Sequence, residues 1–319
     1  MRRFGLPVLV LAIALFGLMG VTAGSADATP PAAVPAHPLP IRSGGVGLGS
    51  LASRLGDLPD AASAARAART GGNGISYHGG AVMTAATTNA YVIWYGNWSG
   101  NTGPAIVTDF LNSVGGSPYF NINTTYYNGS SVKVKNSVTL AGQATDAGSQ
   151  GTTNLSDNAI LAIVNRAITT GGLPADSNAV YFVLTSKDVS KSGFLTQYCG
   201  WHSYSTISST SIKFSFVGDP TGPNLGNCSA QSTSPNGNPG VDAMISVIAH
   251  ELEEAVTDPN LNAWYDSRGY ENADKCAWTF GNYQFLSDGS AWNMKLGTRQ
   301  YLIQRNWVNA VGGYCSLSY

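Results

Sequence analysis

Between Tyr77 and Thr257 the chain alternates short apolar runs with segments of helical periodicity, and that alternation constrains the fold more than any other feature. "AYVIWYG" (90–96) is a run of β-branched and aromatic residues closed by glycine, which reads as a strand. "AIVTDFLNSV" (105–114) follows Pro104 with apolar residues at helical spacing. "SVKVKNSVTLAG" (131–142) alternates and reads as one or two strands. "SDNAILAIVNRAIT" (156–169) has Ser156 as a helix cap and stops at Gly171-Gly172. "NAVYFVLTS" (178–186) is long enough and apolar enough for a buried strand, and "SIKFSFVG" (211–218) alternates like a half-exposed one. "DAMISVIAHELEEAV" (242–256) then forms a helix that Asp258-Pro259 ends. This order predicts an α/β (α+β) domain over residues 76–319, a mixed twisted sheet with packed helices. A mixed sheet whose half-exposed strand precedes a long helix bearing His and Glu is also the order of a zincin-like metallopeptidase architecture, an analogy at the level of fold.

Upstream of that domain the chain has a different character. Residues 1–28 carry two arginines, an apolar run and a small-residue exit at Ala26-Asp27-Ala28, the order of a secretory signal peptide. Residues 29–75 are rich in Pro, Ala and Gly and read as a linker or pro-segment without a core of its own. Export suits the four cysteines, which an oxidising compartment pairs. The expected bridges are the sequence-local ones, Cys199–Cys228 and Cys276–Cys315. A zinc site of four thiolates would require C-x-x-C pairs that the chain lacks. Seventeen Lys plus Arg stand against eighteen Asp plus Glu, so nothing points to nucleic acid or to an anionic membrane once the signal is removed. A secreted, extracellular monomer is the expectation, with a peptide or cell-wall substrate.

Glutamate is rationed: Glu251, Glu253, Glu254 and Glu271 are all there is, and three of them share "AHELEEAVTDP" with His250. With four histidines and four glutamates, H-E-x-x-E arises by accident on the order of once in a thousand such chains. In the zinc-peptidase signature two histidines at i and i+4 bind the ion while the intervening glutamate activates its water. Here His250 and Glu254 occupy the ligand positions and Glu251 the catalytic one. Met244, Ile248, Leu252 and Ala255 form the apolar stripe, and His250 and Glu254 lie well round from it, where either a cleft or plain solvent could meet them. A third ligand comes from "YENADKC": Glu271 is the first choice and Asp274 the second. The cofactor expected is a divalent metal, zinc first, although a carboxylate in place of the second histidine opens the site to other divalent ions. His202, in "CGWHS", reads as a structural or substrate-contact histidine rather than a ligand. Asp258 reads as a helix-stop residue. Two alternatives stay open: calcium held by Asp258, Asp266, Glu271 and Asp274, and a glycosidase pair formed by Glu251 with Asp266 or Glu271.

Several blocks, in order, resemble one family: "YVIWYG", "AIVTDFL", "VLTSKDV", "CGWH", "KFSFVG", "GVDAMISVIAHELEEAVTDP" and "RQYLIQRNWVNAVGGYCSL". They are similar to the EXORDIUM or phosphate-induced protein family over about residues 77–319, and the intact H-E-x-x-E helix resembles its microbial-type members. The resemblance implies an exported, apoplast or cell-wall protein connected with growth. Two functions follow from the sequence. One is a secreted metal-dependent hydrolase of the zinc-peptidase type; the other is a non-catalytic extracellular binding protein in which the acidic helix is structural.

Overall fold

The computed structural model of the chain describes residues 37–40 and 74–319. The signal peptide expected over residues 1–28 lies outside the described residues, as does most of the 29–75 stretch. Four residues of that stretch form strand β1 (His37–Pro40). After β2 (Ser76–Tyr77) come β3 (Thr88–Tyr95), helix α1 (Gly103–Val114), β4 (Val138–Asp146), helix α2 (Asp157–Thr169) and β5 (Ala179–Thr185). Then follow β6 (Tyr198–Ile207), β7 (Thr210–Gly218), helix α3 (Pro239–Thr257) and β8 (Trp264–Tyr265).

The main sheet has the order β1-β6-β7-β5-β3-β4. β4, β3, β5 and β7 run parallel, while β6 is antiparallel to β7 and β1 antiparallel to β6. The mixed sheet expected from the sequence is therefore present. β5 is buried at every residue, as parallel strands covered on both faces are. The β3–α1–β4 and β4–α2–β5 crossovers run in opposite directions across the sheet, so right-handed connections put α1 and α2 on opposite faces. Ser156 caps α2 by accepting from the Ala159 N–H at 3.2 Å. Asn238 caps α3 in the same way from Val241, with Pro239 opening the helix.

Two differences from the sequence reading stand out. "SVKVKNSVTLAG" contributes one strand that begins only at Val138 and runs on to Asp146, because its polar alternation belongs to a half-exposed edge. β6, which the sequence did not announce, is a ten-residue strand whose Ser203 and Ser205 are buried despite their polarity.

α3 lies at the centre of the domain. Every residue from Gly240 to Thr257 is buried, including all four of its ionisable side chains between His250 and Glu254. One side of the helix packs on β5, β6 and β7; the 3₁₀ turn Phe120–Thr125 and the C-terminal region cover the other. That region is a series of hairpins: β9 (Gln284–Phe285) with β10 (Ala291–Trp292), β11 (Met294–Leu296) with β12 (Arg299–Tyr301), and β13 (Asn306–Val308) with β14 (Tyr314–Ser316). Both expected disulfides are present. Cys199–Cys228 pins the start of β6, and Cys276–Cys315 ties the turn at Asp274–Cys276 to β14.

Candidate metal centre

The amphipathic wheel of α3 left open a solvated face for His250 and Glu254. Both side chains are instead fully enclosed, because the C-terminal hairpins and the 264–276 segment close over the helix. Gly200 lets this happen on the sheet side. A Cβ there would meet Val247 Cγ1 at 2.5 Å and Glu251 Oε1 at 3.1 Å, so only glycine allows α3 to settle this close to β6.

The close approach brings His202 of β6 against the helix. Its Nδ1 is 3.5 Å from Glu251 Oε2 and 3.5 Å from Glu254 Oε2; its Nε2 is 3.7 Å from Glu271 Oε1. The Nε2 also faces the Asp258 carbonyl at 3.4 Å, so a neutral ring that keeps its proton there would turn the Nδ1 lone pair toward the carboxylates. On the other side of Glu254, His250 Nε2 is 2.9 Å from Glu254 Oε1 and 3.5 Å from Asp274 Oδ1. The Asp274 N–H donates to Glu254 Oε1 at 3.1 Å. His250 Nδ1 is bonded to the Gln304 side-chain amide.

Two triads result, His202–Glu254–Glu271 and His250–Glu254–Asp274. The ligand atoms of each lie within 4.8 Å of one another. Atoms bound to one ion at about 2.0–2.2 Å sit roughly 3–4 Å apart, so each triad closes on a cation with small side-chain movements. Glu271 and Asp274, weighed in the sequence as competing third ligands, fall in different triads. His202, taken there for a structural or substrate-contact residue, is completely buried among the carboxylates. The "CGWH" block was the only sequence signal for it, and Gln304 had none.

Several groups fall outside the cluster. Asp266 Oδ1 accepts the Arg268 and Tyr270 N–H groups at 2.8 and 3.0 Å, and Asp258 Oδ1 accepts those of Asn262 and Ala263 at 2.6 and 2.7 Å. Both carboxylates thus build turns, and no four-carboxylate calcium cage forms from Asp258, Asp266, Glu271 and Asp274 among the described residues. Glu251 and Glu271 are 0 % and 1 % exposed, which leaves no room for a sugar between them. His78 stacks on Tyr265 at 3.7 Å, apart from the cluster.

Burial sets the electrostatics. Charging either histidine is opposed by desolvation, but Glu271, Glu251 and Glu254 around His202 outweigh it, and Glu254 and Asp274 do so around His250. Both imidazoles are thereby pushed well above the ordinary histidine range. Burial raises Glu251 to about 7 against the pull of the histidines. Burial acts the same way on Glu254, yet His250 and His202 overcome it and hold that carboxyl down at about 2. Meanwhile His202 Nδ1, both oxygens of Glu251 and of Glu271, and Glu254 Oε2 are buried without a hydrogen bond, the histidine–carboxylate approaches among them being 3.5–3.7 Å. Unpaired buried polar atoms cost about 1–3 kcal/mol each. Cation binding would satisfy such atoms, so the donor set fits a metal.

Comparison with known proteins agrees with the fold-wide resemblance. The family model described as "Phosphate-induced protein 1 conserved region" matches residues 75–311. Protein EXORDIUM-like 3 of Arabidopsis thaliana is 30% identical over 280 residues, covering 76% of this chain and 82% of that protein. Protein EXORDIUM-like 5 of the same plant is 29% identical over 272 residues, 73% of this chain and 75% of its own length. Protein PHOSPHATE-INDUCED 1 of Nicotiana tabacum is 25% identical over 218 residues, 60% and 67% of the two chains. No solved structure matches significantly.

Proposed function

The chain belongs to the phosphate-induced protein 1 family, and from that membership we propose a non-catalytic extracellular protein whose core is organised by divalent cations. The observation that carries this reading is closure of the cluster. His202, His250, Glu251 and Glu254 are 0 % exposed and Glu271 1 %. A catalytic zinc keeps one coordination position open to substrate, whereas a structural ion is enclosed by its ligands. Here the ligands come from β6, α3 and the 271–274 segment, so an ion joins the sheet, the central helix and the C-terminal region. The two disulfides and the absence, among the described residues, of a helix able to cross a membrane support an extracellular setting. The family resemblance supplies the cell-wall, growth-related context.

Purified wild-type protein should retain metal, His250→Ala should hold less metal and be less stable, and neither should cleave peptide. Metal-free wild-type protein with the same thermal stability as His250→Ala overturns the reading.

A second reading, a zincin-like hydrolase held in a latent form, is favoured by one observation. β1 pairs with the edge of β6, with His37 opposite His202, so a segment from upstream of the domain lies alongside the cluster. In that reading His250 and Glu254, with Glu271 or Asp274, would hold a zinc that supplies Lewis acidity, and Glu251 would serve as the general base. A chain beginning at residue 74 would then cleave peptides, and its Glu251→Gln variant would not. Such activity would replace the first reading; an inactive, folded and metal-loaded truncation removes the second.

A further inference from the structure

From the division of the cluster around Glu254, we infer a dinuclear centre: two divalent cations bridged by the Glu254 carboxylate, one on the His202 side and one on the His250 side. The inference rests on the reading that the cluster is a metal centre and adds a second ion to it.

The geometry comes first. Glu254 directs Oε2 at His202, 3.5 Å away, and Oε1 at His250, 2.9 Å away. The two triads share that residue and nothing else. No triad among the described residues contains both histidines, so no single ion collects them. A lone ion with His250, Glu254 and Asp274 leaves His202 Nδ1 and both oxygens of Glu271 buried and unpartnered. A lone ion with His202, Glu254 and Glu271 leaves the facing pair His250 Nε2 and Asp274 Oδ1, 3.5 Å apart, without an ion. Two ions on opposite oxygens of one carboxylate, about 3.5–4 Å apart, leave neither half unsatisfied.

Charge counting agrees. Glu251, Glu254, Glu271 and Asp274 bring four carboxylates into one buried volume beside two imidazoles, with the buried Glu253 and Asp258 carboxyls also within electrostatic reach. Lys275, the cation nearest in sequence, has its Nζ 3.3 Å from Asp266 Oδ2 and 4.8 Å from the Trp307 ring centroid instead. A buried carboxylate needs a counter-charge. Two dications offset more of this buried negative charge than one does while the imidazoles stay neutral, which ligation requires.

The remaining donors sort between the ions. Glu251 Oε2, 3.5 Å from His202 Nδ1, joins the first ion. The second ion takes His250 Nε2, Glu254 Oε1 and Asp274. Each ion therefore sees one nitrogen and two or three carboxylates. That set suits first-row dications such as Mn²⁺ or Zn²⁺ and is poor for Cu(I) or Ca²⁺, which favour sulfur and all-oxygen ligands respectively. For the second ion, the Gln304 amide must present its oxygen to a protonated Nδ1 of His250, a turn of the amide plane that exchanges O for N.

The test uses full-length secreted protein, stripped with chelator and reloaded with Mn²⁺. Elemental analysis should return two ions per chain, and electron paramagnetic resonance should show an exchange-coupled pair in place of the six-line signal of isolated Mn²⁺. His202→Ala and His250→Ala should each keep one ion and restore the six-line signal, whereas Glu254→Gln should lose the coupling. One ion per chain in wild type with an uncoupled spectrum overturns the bridged pair and leaves the single-metal reading intact; no bound ion overturns both. If a variant fails to fold, the wild-type stoichiometry and spectrum decide alone.

Discussion

Gly200→Ala probes the seat of the whole centre without touching a ligand. The backbone at Gly200 lies outside the left-handed region, so alanine meets no conformational penalty and only space matters. The added Cβ would stand 2.5 Å from Val247 Cγ1, 3.0 Å from the Phe216 carbonyl oxygen and 3.1 Å from Glu251 Oε1. Carbon atoms in contact prefer about 3.5–4.0 Å, so α3 must retreat from β6 by about 1 Å at Val247. Overpacking of this kind costs about 1–3 kcal/mol. Val247 and Glu251 are one helical turn apart, so the retreat also draws Glu251 and Glu254 away from His202. Metal sites tolerate about 0.2 Å, and misplacement of supporting geometry lowers affinity roughly 10–100-fold. Urea unfolding should show the stability loss, and competition with a chromophoric chelator the affinity loss. The double variant Gly200→Ala/Val247→Ala should recover part of both, a non-additivity that marks direct contact. Gly226→Ala, where a Cβ meets nothing within 4 Å, should stay within about 0.5 kcal/mol of wild type. Wild-type stability and affinity in Gly200→Ala would refute the seating of α3 on β6.

Three further outcomes are expected. Removing Cys276–Cys315 by serine substitution should cost about 3–4 kcal/mol in urea unfolding, since the bridge closes a 39-residue separation; an unchanged midpoint contradicts it. Lys191 is buried with its Nζ 5.0–5.2 Å from the rings of Tyr198, Trp201 and Phe216, and burial pushes its pKa down. The unfolded chain then holds that proton to higher pH than the folded one, so stability gains with rising pH through the window below the free-lysine value of 10.5. Lys191→Met should flatten the rise on the alkaline side below 10.5, read by urea midpoints; an identical slope removes the explanation. Gln304→Leu takes away the partner of His250 Nδ1 and should weaken metal binding roughly 10–100-fold in chelator competition. Unchanged affinity would show that the amide does not orient the ring.

Most of the architecture was legible in the residues. The helix expected at 156–169 is Asp157–Thr169, and the strand expected at 178–186 is Ala179–Thr185, because caps, glycines and unbroken apolar runs fix such ends locally. The disulfide partners followed from sequence proximity. β6 was not legible. Its Ser203 and Ser205 look like a polar segment, yet they are interior, on the sheet face opposite the one from which Gly200 and His202 meet α3. His202 could not be assigned to the cluster either: it approaches α3 through tertiary packing, 48 residues before His250 in the chain. The wheel of α3 could not decide between cleft and solvent, because C-terminal hairpins far along the chain cover the side that it leaves polar. Glu271 and Asp274 were picked out as candidates by rarity and spacing, but their separation into two triads depends on the turn at 271–276, which has no sequence signature of its own.

Calorimetric unfolding of the chelator-stripped protein beside the same protein reloaded with Mn²⁺ or Zn²⁺ tests the central claim most directly. An ion present at a thousandfold over its dissociation constant stabilises the folded state by about 4 kcal/mol, and a domain of this size gains roughly 2–4 °C per kcal/mol. The reloaded protein should therefore melt on the order of 10 °C or more above the stripped one, and His250→Ala should lose much of that gain. Superimposable melting curves for stripped and reloaded wild-type protein would contradict a core organised by divalent cations.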